Sequence, residues 1–461
     1  MFDLLLATNI RFSRYLAVDR ETTKMKSNAT FFLDEGDLPF PQGSLKKRPQ
    51  SKRITDLYRS IRAETERLAA PLSAEDQTIQ SMPDASPTKW HRAHTTWFFE
   101  TFILEPFLQG YSVFDPAFNY LFNSYYEAIG PRHPRPSRGL LSRPGMDRVA
   151  DYRVHVDRAM ECLLETADRP ILDLIILGLN HEQQHQELLL TDIKHAFSRS
   201  PLFPIYKAAP SPPNVTLPPK IDWWPIKSGL YPIGHDASEK GFAFDNEMPR
   251  HTVFLEDYAL ADRPVSNGEY RAFMDDGGYE RPEFWLSDGW AIVQAEHWDA
   301  PAYWRREGSA WQVFTLHGMQ DVRDDEPVCH VSYFEAAAYA LWAGCRLPRE
   351  HEWEVAARRF HSDHEHTHSQ HFHPASLTSS RQKAIRQDVW EWTASAYAPY
   401  PGYHAEAGAL GEYNGKFMIN QMVLRGRSCA TPVGHDRITY RNFFPPQARW
   451  QFSGFRLAKD R

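Results

Sequence analysis

Prolines crowd one segment of this chain, at positions 210, 212, 213, 218, 219 and 225. Proline has no backbone N–H and holds φ fixed, so neither a helix nor an inner strand can continue through this segment. We therefore predict a linker at residues 206–226. It separates residues 51–205, where apolar residues recur at helical spacing, from residues 227–461, which are rich in short strand-like pieces, Gly, Trp and Pro.

The length and charge of the chain limit its class. It has 461 residues, enough for two or three domains with sizeable cores. Its formal net charge is −7 and its basic and acidic residues are interleaved, so no charge pattern favours nucleic acid or an anionic membrane. No apolar stretch approaches the roughly 18 residues of a membrane span. We predict neither partner, and the sequence leaves the oligomeric state open.

The cysteines indicate a compartment. Cys162, Cys329, Cys345 and Cys429 are too few and too dispersed for a disulfide framework or a cysteine-based zinc site, which favours a reducing cytoplasm. Residues 1–50 contain a short apolar run without the charge and cleavage-site order of a signal peptide. We predict a disordered extension there.

The N-terminal half predicts a bundle of about four helices. In NHEQQHQELLLTDIKHAF, His181 and His185 are four residues apart, close to one helical turn, so both imidazoles lie on one face and can bind one metal ion. The segment SPTKWHRAHTTWFFETFIL opens with Ser86 and Pro87, which predict an N-cap and a first turn, and it places His94 near the middle of a helix.

HEQQH also fits H-E-x-x-H, the zinc-protease pattern in which glutamate activates water. Helical geometry does not choose between Glu182 and Gln184, because both flank the two-histidine face at similar angles. The metzincin continuation requires Gly at position 188, where this chain has Leu188, and a histidine at 191, a spacing that His195 does not meet. Proteolysis is therefore disfavoured. His94, from a facing helix, would instead complete a three-histidine site with open coordination positions.

Longer motifs carry a resemblance. WHRAHTTWFFETF and HEQQHQELL in the first half are followed by RLPREHEWEVAAR, DVWEWTASAY, VLRGRSCAT and FSGFRLA in the second. Together they resemble the ergothioneine-biosynthetic sulfoxide synthases (EgtB, the hercynine oxygenases), over about residues 55–461. The resemblance implies an α+β chain: a DinB-like helical bundle, then a formylglycine-generating-enzyme (sulfatase-modifying factor) domain with a C-type-lectin-like fold.

The resemblance also implies the chemistry. Members of this family use non-haem Fe(II) and molecular oxygen to join a cysteine-type thiol to the imidazole of hercynine as a sulfoxide. The matching ligands here are His94, His181 and His185. Gln184 matches the glutamine that hydrogen-bonds the hercynine imidazole, and Asn442 matches the asparagine near the betaine end. Phe443 fits an aromatic wall, which suits a trimethylammonium group because that group has no hydrogen to donate.

Tyrosine can supply the proton or electron that oxygen activation requires, and FNSYYEAIG offers Tyr125 and Tyr126, resembling the paired tyrosines of the family's type II branch. Arginines in GPRHPRPSRGLLSRP, at positions 132, 135 and 138, could clamp a donor carboxylate. We take Arg135 and Arg138 as the candidates.

One departure leaves the donor open. The type I branch follows its asparagine with Trp and Asp, and that aspartate helps to recognise γ-glutamylcysteine; here Phe443 and Phe444 stand in those places. Free cysteine and γ-glutamylcysteine both remain candidates. Alternatives to the hercynine reaction are an ovothiol-type synthase acting on histidine and a metal-binding scaffold without turnover. Formylglycine generation uses a pair of nearby cysteines, and only Cys429 lies in the matching region.

Overall fold

The computed structural model describes residues 50–209, 218–360, 371–377, 385, 388–405 and 409–461. The extension predicted at residues 1–50 lies outside this part of the chain except for Gln50, which begins the first helix. The first half is helical, with a π-helical turn at Glu100–Leu104 and a 3₁₀ turn at Arg135–Leu140. Its helices are α1 (Gln50–Ala69), α2 (Thr88–Phe99), α3 (Glu105–Phe107), α4 (Ala117–Phe122), α5 (Met146–Leu164) and α6 (Arg169–Ser198).

Four of these helices form the predicted bundle. Helices α1 and α2 pack against α6, and α2 also packs against α5. The apolar faces meet in a core that includes Tyr58, Phe99, Val156 and Ile175, each almost completely buried. Burial of such side chains stabilises the bundle by roughly 1.5–3 kcal/mol each. No described helix is both long and apolar enough to cross a membrane.

Helix α2 begins later than the sequence predicts. Its N-cap is Pro87, and no side chain caps the helix. Ser86 is instead held by two neighbours, since its N–H donates to Asp192 Oδ2 (2.8 Å) and its hydroxyl accepts from Arg138 Nη1 (2.9 Å). The serine thus ties the start of α2 to helix α6 and to the Arg135–Leu140 turn.

The second half is built from short strands and helices. Its helices are α7 (Asn267–Asp275), α8 (Ser287–Glu296), α9 (Tyr333–Trp342) and α10 (Glu350–Phe360). Its strands are β1 (Trp223–Ile226), β2 (Gly229–Ile233), β3 (His251–Leu255), β4 (Tyr258–Ala261), β5 (Trp304–Glu307), β6 (Ala310–Thr315), β7 (Gly318–Asp321), β8 (Trp390–Ala396), β9 (Met422–Gly426), β10 (Asn442–Phe444), β11 (Ser453–Phe455) and β12 (Ala458–Asp460).

The strands form four small sheets, in the orders β1-β4-β12, β10-β9-β8-β11, β2-β3 and β5-β6-β7. All pairs are antiparallel except β8 with β11. Strand β1 lies inside the segment predicted as a linker, because its residues pair with β4 from Trp223 to Ile226. The C-terminal end of the predicted linker therefore overlaps a strand, and Pro225 sits at the sheet edge, where a missing N–H costs no ladder bond. Residues 210–217 of that segment lie outside the described part of the chain.

Buried ion pairs hold the second half together. Arg456 pairs with Glu391 (2.8 Å) and Arg425 with Glu354 (2.6 Å), and all four side chains are fully buried. Trp392 donates from Nε1 to the Val331 carbonyl (2.9 Å). These residues come from the tryptophan- and arginine-rich motifs of the sequence, and their contacts give those motifs a structural role.

A half-buried carboxylate joins the two halves. Glu187 of helix α6 accepts hydrogen bonds from Trp390 Nε1 (2.8 Å), Ser428 Oγ (2.5 Å) and Thr431 Oγ1 (2.7 Å) of the second half. Charge-assisted bonds of this kind are short and strong, and here they fix one face of α6 against strand β8.

Candidate metal centre

Three histidines converge between helices α2 and α6. His181 and His185 lie one turn apart on α6, and His94 comes from α2. His94 Nε2 is 3.2 Å from His181 Nε2, and one ligand nitrogen from each of the three residues lies within 4.8 Å of the others. The structure therefore brings together the three residues that the sequence resemblance names as ligands.

Aromatic packing fixes the orientation of His94. Its imidazole stacks between Trp90 (4.5 Å between ring centroids) and Trp97 (5.6 Å), with interplanar angles of 13° and 17°. Its Nδ1 lies 2.6 Å from the Phe122 carbonyl oxygen. A carbonyl can only accept, so Nδ1 carries the hydrogen and the Nε2 lone pair is left facing the other two imidazoles.

The donor set fits a divalent metal ion. Burial lowers the pKa of His181 to about 3 and lowers the pKa values of His94 and His185 well below the ordinary histidine value. All three imidazoles are therefore neutral, the form that binds metals. Two nitrogens each about 2.1 Å from one ion and at right angles to each other would be about 3.0 Å apart, close to the spacing of His94 and His181.

Glu182 points away from this centre into the bundle. Its carboxylate accepts from Arg62 Nη1 (2.9 Å), Arg153 Nη2 (3.0 Å) and Thr65 Oγ1 (2.7 Å). Burial raises the pKa of Glu182, but the two guanidinium groups outweigh burial and lower it below its ordinary value. This position agrees with the sequence analysis, which disfavours the zinc-protease role, because the carboxylate is engaged in an ion-pair cluster away from the histidines.

A cavity of about 630 Å³ opens beside the histidines, between the helical half and the second half. Helix α6, the start of α2, the segment from Ser124 to Arg138, and parts of the second half around β8 and β10 form its walls. The sequence-predicted site residues that line it are His181, His185, Gln184, Tyr125, Arg135, Arg138, Asn442 and Phe443. His94 is fully buried behind this surface. The volume suits a small-molecule ligand.

Two tyrosines of the second half hold the Gln184 side chain. Tyr413 donates its hydroxyl hydrogen to Gln184 Oε1, and Gln184 Nε2 donates to Tyr440 Oη (2.6 Å). The amide oxygen and nitrogen each retain one further hydrogen-bonding position. Gln184 is therefore fixed in orientation and still able to bond a ligand in the cavity.

Asn442 and Phe443 lie together on strand β10. Phe443 stacks face to face on Tyr397, with 4.1 Å between ring centroids, and its N–H donates to Asn442 Oδ1 (2.9 Å). Phe417 adds a further ring 6.0 Å from Phe443. Phe443 and Phe417 therefore place two aromatic rings at the cavity wall.

The paired tyrosines differ in position. Tyr125 lines the cavity, whereas Tyr126 is fully buried outside its lining and its hydroxyl has no hydrogen-bond partner among the described residues. A loop of the second half holds this segment, since Glu412 accepts from the N–H groups of Glu127 (3.0 Å) and Ala128 (2.9 Å). Only Tyr125 is placed to meet a ligand directly.

The three arginines also differ. Arg132 pairs with Glu127, and Arg135 donates to the Asp84 carbonyl, so both have protein partners near the cavity entrance. Arg138 is buried, lies over the Trp90 ring at 3.4 Å and forms no ion pair with a described carboxylate. A buried guanidinium that lacks an acidic partner is suited to bind an anionic group of a ligand.

Several site residues escape sequence reasoning. Tyr413 and Phe417 come from an irregular loop with no periodic pattern, and Tyr440 lies just before β10; no local signal marks them. His91 and Trp90 sit inside the WHRAHTTW motif, and helical spacing does place His91 one turn from His94. The contacts of His91, however, are with residues of α6, which helical spacing within α2 does not reveal.

Comparison with known families divides the chain as the fold does. Residues 57–189 match the DinB superfamily, and residues 222–384 and 387–461 match the sulfatase-modifying factor enzyme 1-like domain. The predicted α+β class, a DinB-like bundle followed by a formylglycine-generating-enzyme domain, is confirmed.

Full-length relatives combine both halves. The chain is 32% identical over 419 residues to the hercynine oxygenase of Mycolicibacterium thermoresistibile, which aligns 82% of this chain with 88% of that protein. It is 31% identical over 415 residues to the hercynine oxygenase of Mycobacterium tuberculosis, across 82% of this chain and 92% of the relative. The formylglycine-generating enzyme of Streptomyces coelicolor is 27% identical but covers 51% of this chain. The chain therefore belongs to the hercynine oxygenase family.

Proposed function

We propose that this protein is an Fe(II)- and oxygen-dependent sulfoxide synthase that joins a cysteine-type thiol to hercynine. The reaction replaces the imidazole C–H and the thiol S–H by a C–S bond; one oxygen atom of O₂ becomes the sulfoxide oxygen and the other leaves as water with the two hydrogens. The observation that carries the proposal is the neutral three-histidine cluster at the wall of a small-molecule cavity. When bound there, Fe(II) supplies oxygen activation at its open positions.

Gln184 and β10 would orient hercynine. The remaining hydrogen-bonding positions of the Gln184 amide suit an imidazole, which has one donor and one acceptor nitrogen. Phe443, stacked on Tyr397, and the nearby Phe417 offer ring faces to a trimethylammonium cation. Tyr413 and Tyr440 support this arrangement because they hold the Gln184 amide from both sides.

Arg138 would bind the carboxylate of the thiol donor. Two buried arginines line the cavity, and Arg441 already pairs with Glu350. For Arg138, a donor carboxylate would supply the anionic partner that the described residues do not. Arg135 stands at the same wall and would assist at its exposed rim. A single α-carboxylate clamp favours free cysteine as donor, with γ-glutamylcysteine as the competing donor in the test.

Tyr125 would donate the proton that oxygen reduction consumes. Its side chain lines the cavity, and burial raises the pKa of its hydroxyl, so the group stays protonated. General acids contribute typically 10²–10⁴-fold when they reach the reacting group. Tyr126 packs its ring 4.7 Å from the Tyr125 ring and would support that residue.

The cysteines support a reducing compartment. Cys162, Cys329, Cys345 and Cys429 are all free thiols. We therefore propose that the enzyme works in the cytoplasm, where thiols stay reduced and the thiol donor is available.

Anaerobic reconstitution with Fe(II), followed by oxygen uptake with hercynine and cysteine, tests the function. We expect uptake that requires both substrates, with His185→Ala as the inactive control. Mass spectrometry of products from cysteine and γ-glutamylcysteine offered in competition identifies the donor, and histidine in place of hercynine tests the ovothiol-type reaction. If the reconstituted protein shows no substrate-dependent oxygen uptake, the proposal is overturned.

A further inference from the structure

We propose that His91 and Asp192 position the metal ligand His185 by fixing its tautomer and ring orientation. This inference rests on the proposed metal centre and adds to it a residue pair that is not itself in the coordination sphere. It depends on geometry within the bundle, where α2 and α6 cross.

The three residues form a continuous chain of contacts. His91 Nδ1 lies 2.8 Å from His185 Nδ1, and His91 Nε2 lies 3.0 Å from Asp192 Oδ2. Asp192 is seven residues, or about two turns, after His185 on the same face of α6. Its Oδ2 also accepts from the Ser86 N–H (2.8 Å), so the carboxylate is held from the start of α2.

These contacts determine where the hydrogens lie. The Asp192 carboxylate accepts, so His91 Nε2 carries a hydrogen and donates it. In a neutral His91 ring, Nδ1 is then the acceptor, and His185 Nδ1 must be the donor to it. His185 Nε2 is thereby left with its lone pair, which is the nitrogen that a metal at the cluster would bind.

The arrangement excludes His91 as a fourth ligand. Both of its nitrogens are engaged, one by His185 and the other by Asp192. The cluster of potential ligands among the described residues contains His94, His181 and His185 and not His91. His94 is oriented by a different partner, the Phe122 carbonyl, so each of these two ligands has its own fixing group. Partners of this kind orient ligating histidines and raise their basicity.

Anaerobic titration of the metal-free protein with Co(II), followed by its d–d absorption, tests the role without turnover. We expect His91→Leu to raise the Co(II) dissociation constant about 10–100-fold and to alter the spectrum. His91→Gln should restore most of the affinity, because its amide can accept from His185 and donate to Asp192. His155→Gln, at a histidine of α5 that bonds the Ser112 carbonyl away from the cluster, is the control and should leave both readouts unchanged.

His91→Leu with wild-type affinity and spectrum would overturn the positioning role while leaving the metal centre intact. Wild-type protein that fails to bind Co(II) stoichiometrically would overturn the metal centre instead, so the two failures are distinct. If His91→Leu does not fold, His91→Asn takes its place: asparagine is one methylene shorter than glutamine and cannot span Asp192 and His185. Equal affinity in the Asn and Gln variants would contradict the inference.

Discussion

His94 Nε2 lies 3.2 Å from His181 Nε2, although 87 positions separate the two residues in the chain. The Phe122 carbonyl leaves His94 Nε2 without a hydrogen, and burial keeps His181 neutral. Such a close pair of neutral imidazole nitrogens suits one shared cation. A metal ion bound by both residues would bridge α2 and α6. Metal binding should therefore stabilise the bundle.

Metal binding should therefore stabilise the fold through this contact. At a free Fe(II) concentration about 100 times the dissociation constant, we expect about 2.7 kcal/mol of added unfolding free energy. His185→Ala should abolish the increase and stoichiometric Fe(II) binding together. Anaerobic thermal unfolding with and without Fe(II) measures this effect. A variant that keeps the full metal-dependent shift would show that His185 is not a ligand.

The Glu182→Gln variant tests whether this glutamate has a structural or a catalytic role. The glutamate pairs with Arg62 and Arg153 in the bundle interior. The substitution removes one carboxylate from each guanidinium, although Arg62 keeps Asp157 and Arg153 keeps Glu66. We expect a loss of about 1–3 kcal/mol of unfolding stability with an unchanged Fe(II) dissociation constant. Chemical denaturation and metal titration measure the two quantities.

The matched control for this change is Glu161→Gln. Its partner Arg59 lies 2.7 Å away on α1, and both side chains are about half exposed, at 46% and 58%. An exposed pair contributes about 0–1 kcal/mol, so this variant should be nearly as stable as the wild type. If the Glu182→Gln variant folds and binds metal but does not turn over, the glutamate has a catalytic role.

The kinetic effect of each tyrosine substitution should depend on where the tyrosine lies relative to the cavity. Tyr125→Phe removes the hydroxyl that lines the cavity, and we expect kcat to fall about 10²-fold or more with little change in KM. Tyr413→Phe removes the bond to Gln184, so KM for hercynine should rise. Tyr126→Phe, outside the cavity lining, should have the smallest effect on kcat. Steady-state kinetics with saturating oxygen measure all three, and a loss in Tyr126→Phe as large as that in Tyr125→Phe would reverse this assignment.

The sequence predicts the parts of the site that follow a period or a motif. Helical spacing places His181 and His185 on one face, and a longer motif adds His94. Tyr413 could not be found in this way, because it reaches Gln184 from a loop 229 positions away. Helical spacing could not assign His91 either, since its role depends on where Asp192 of α6 meets α2. The start of α2 differs from the predicted one for the same reason: Ser86 bonds Asp192 and Arg138 rather than capping the helix.

A buried lysine at the junction of the two halves should give stability an alkaline dependence. Lys194 of α6 is fully buried, its Nζ lies 2.6 Å from His330 Nε2, and the rings of Tyr303 and Phe452 lie 5.0 and 4.9 Å away. Burial lowers the pKa of Lys194 from 10.5 to about 8. It also raises the pKa of the nearby Cys329 thiol to about 12, so that thiol stays neutral over the range tested.

Stability should rise with pH because the folded protein loses the Lys194 proton at a lower pH than the unfolded chain. Below pH 8 the amine is charged in both states, and the folded protein bears a desolvation cost of about 3 kcal/mol. Between pH 8 and 10.5 the folded amine loses its proton before the unfolded one, so that cost disappears and stability rises. We expect the unfolding free energy of the wild type, relative to Lys194→Met, to increase by about 3 kcal/mol from pH 7.5 to 10.5. Denaturant unfolding at each pH measures the difference. The control is Lys227→Met, at a lysine whose side chain is 83% exposed. If the difference in unfolding free energy between the wild type and Lys194→Met does not change with pH, Lys194 is neutral or solvated throughout.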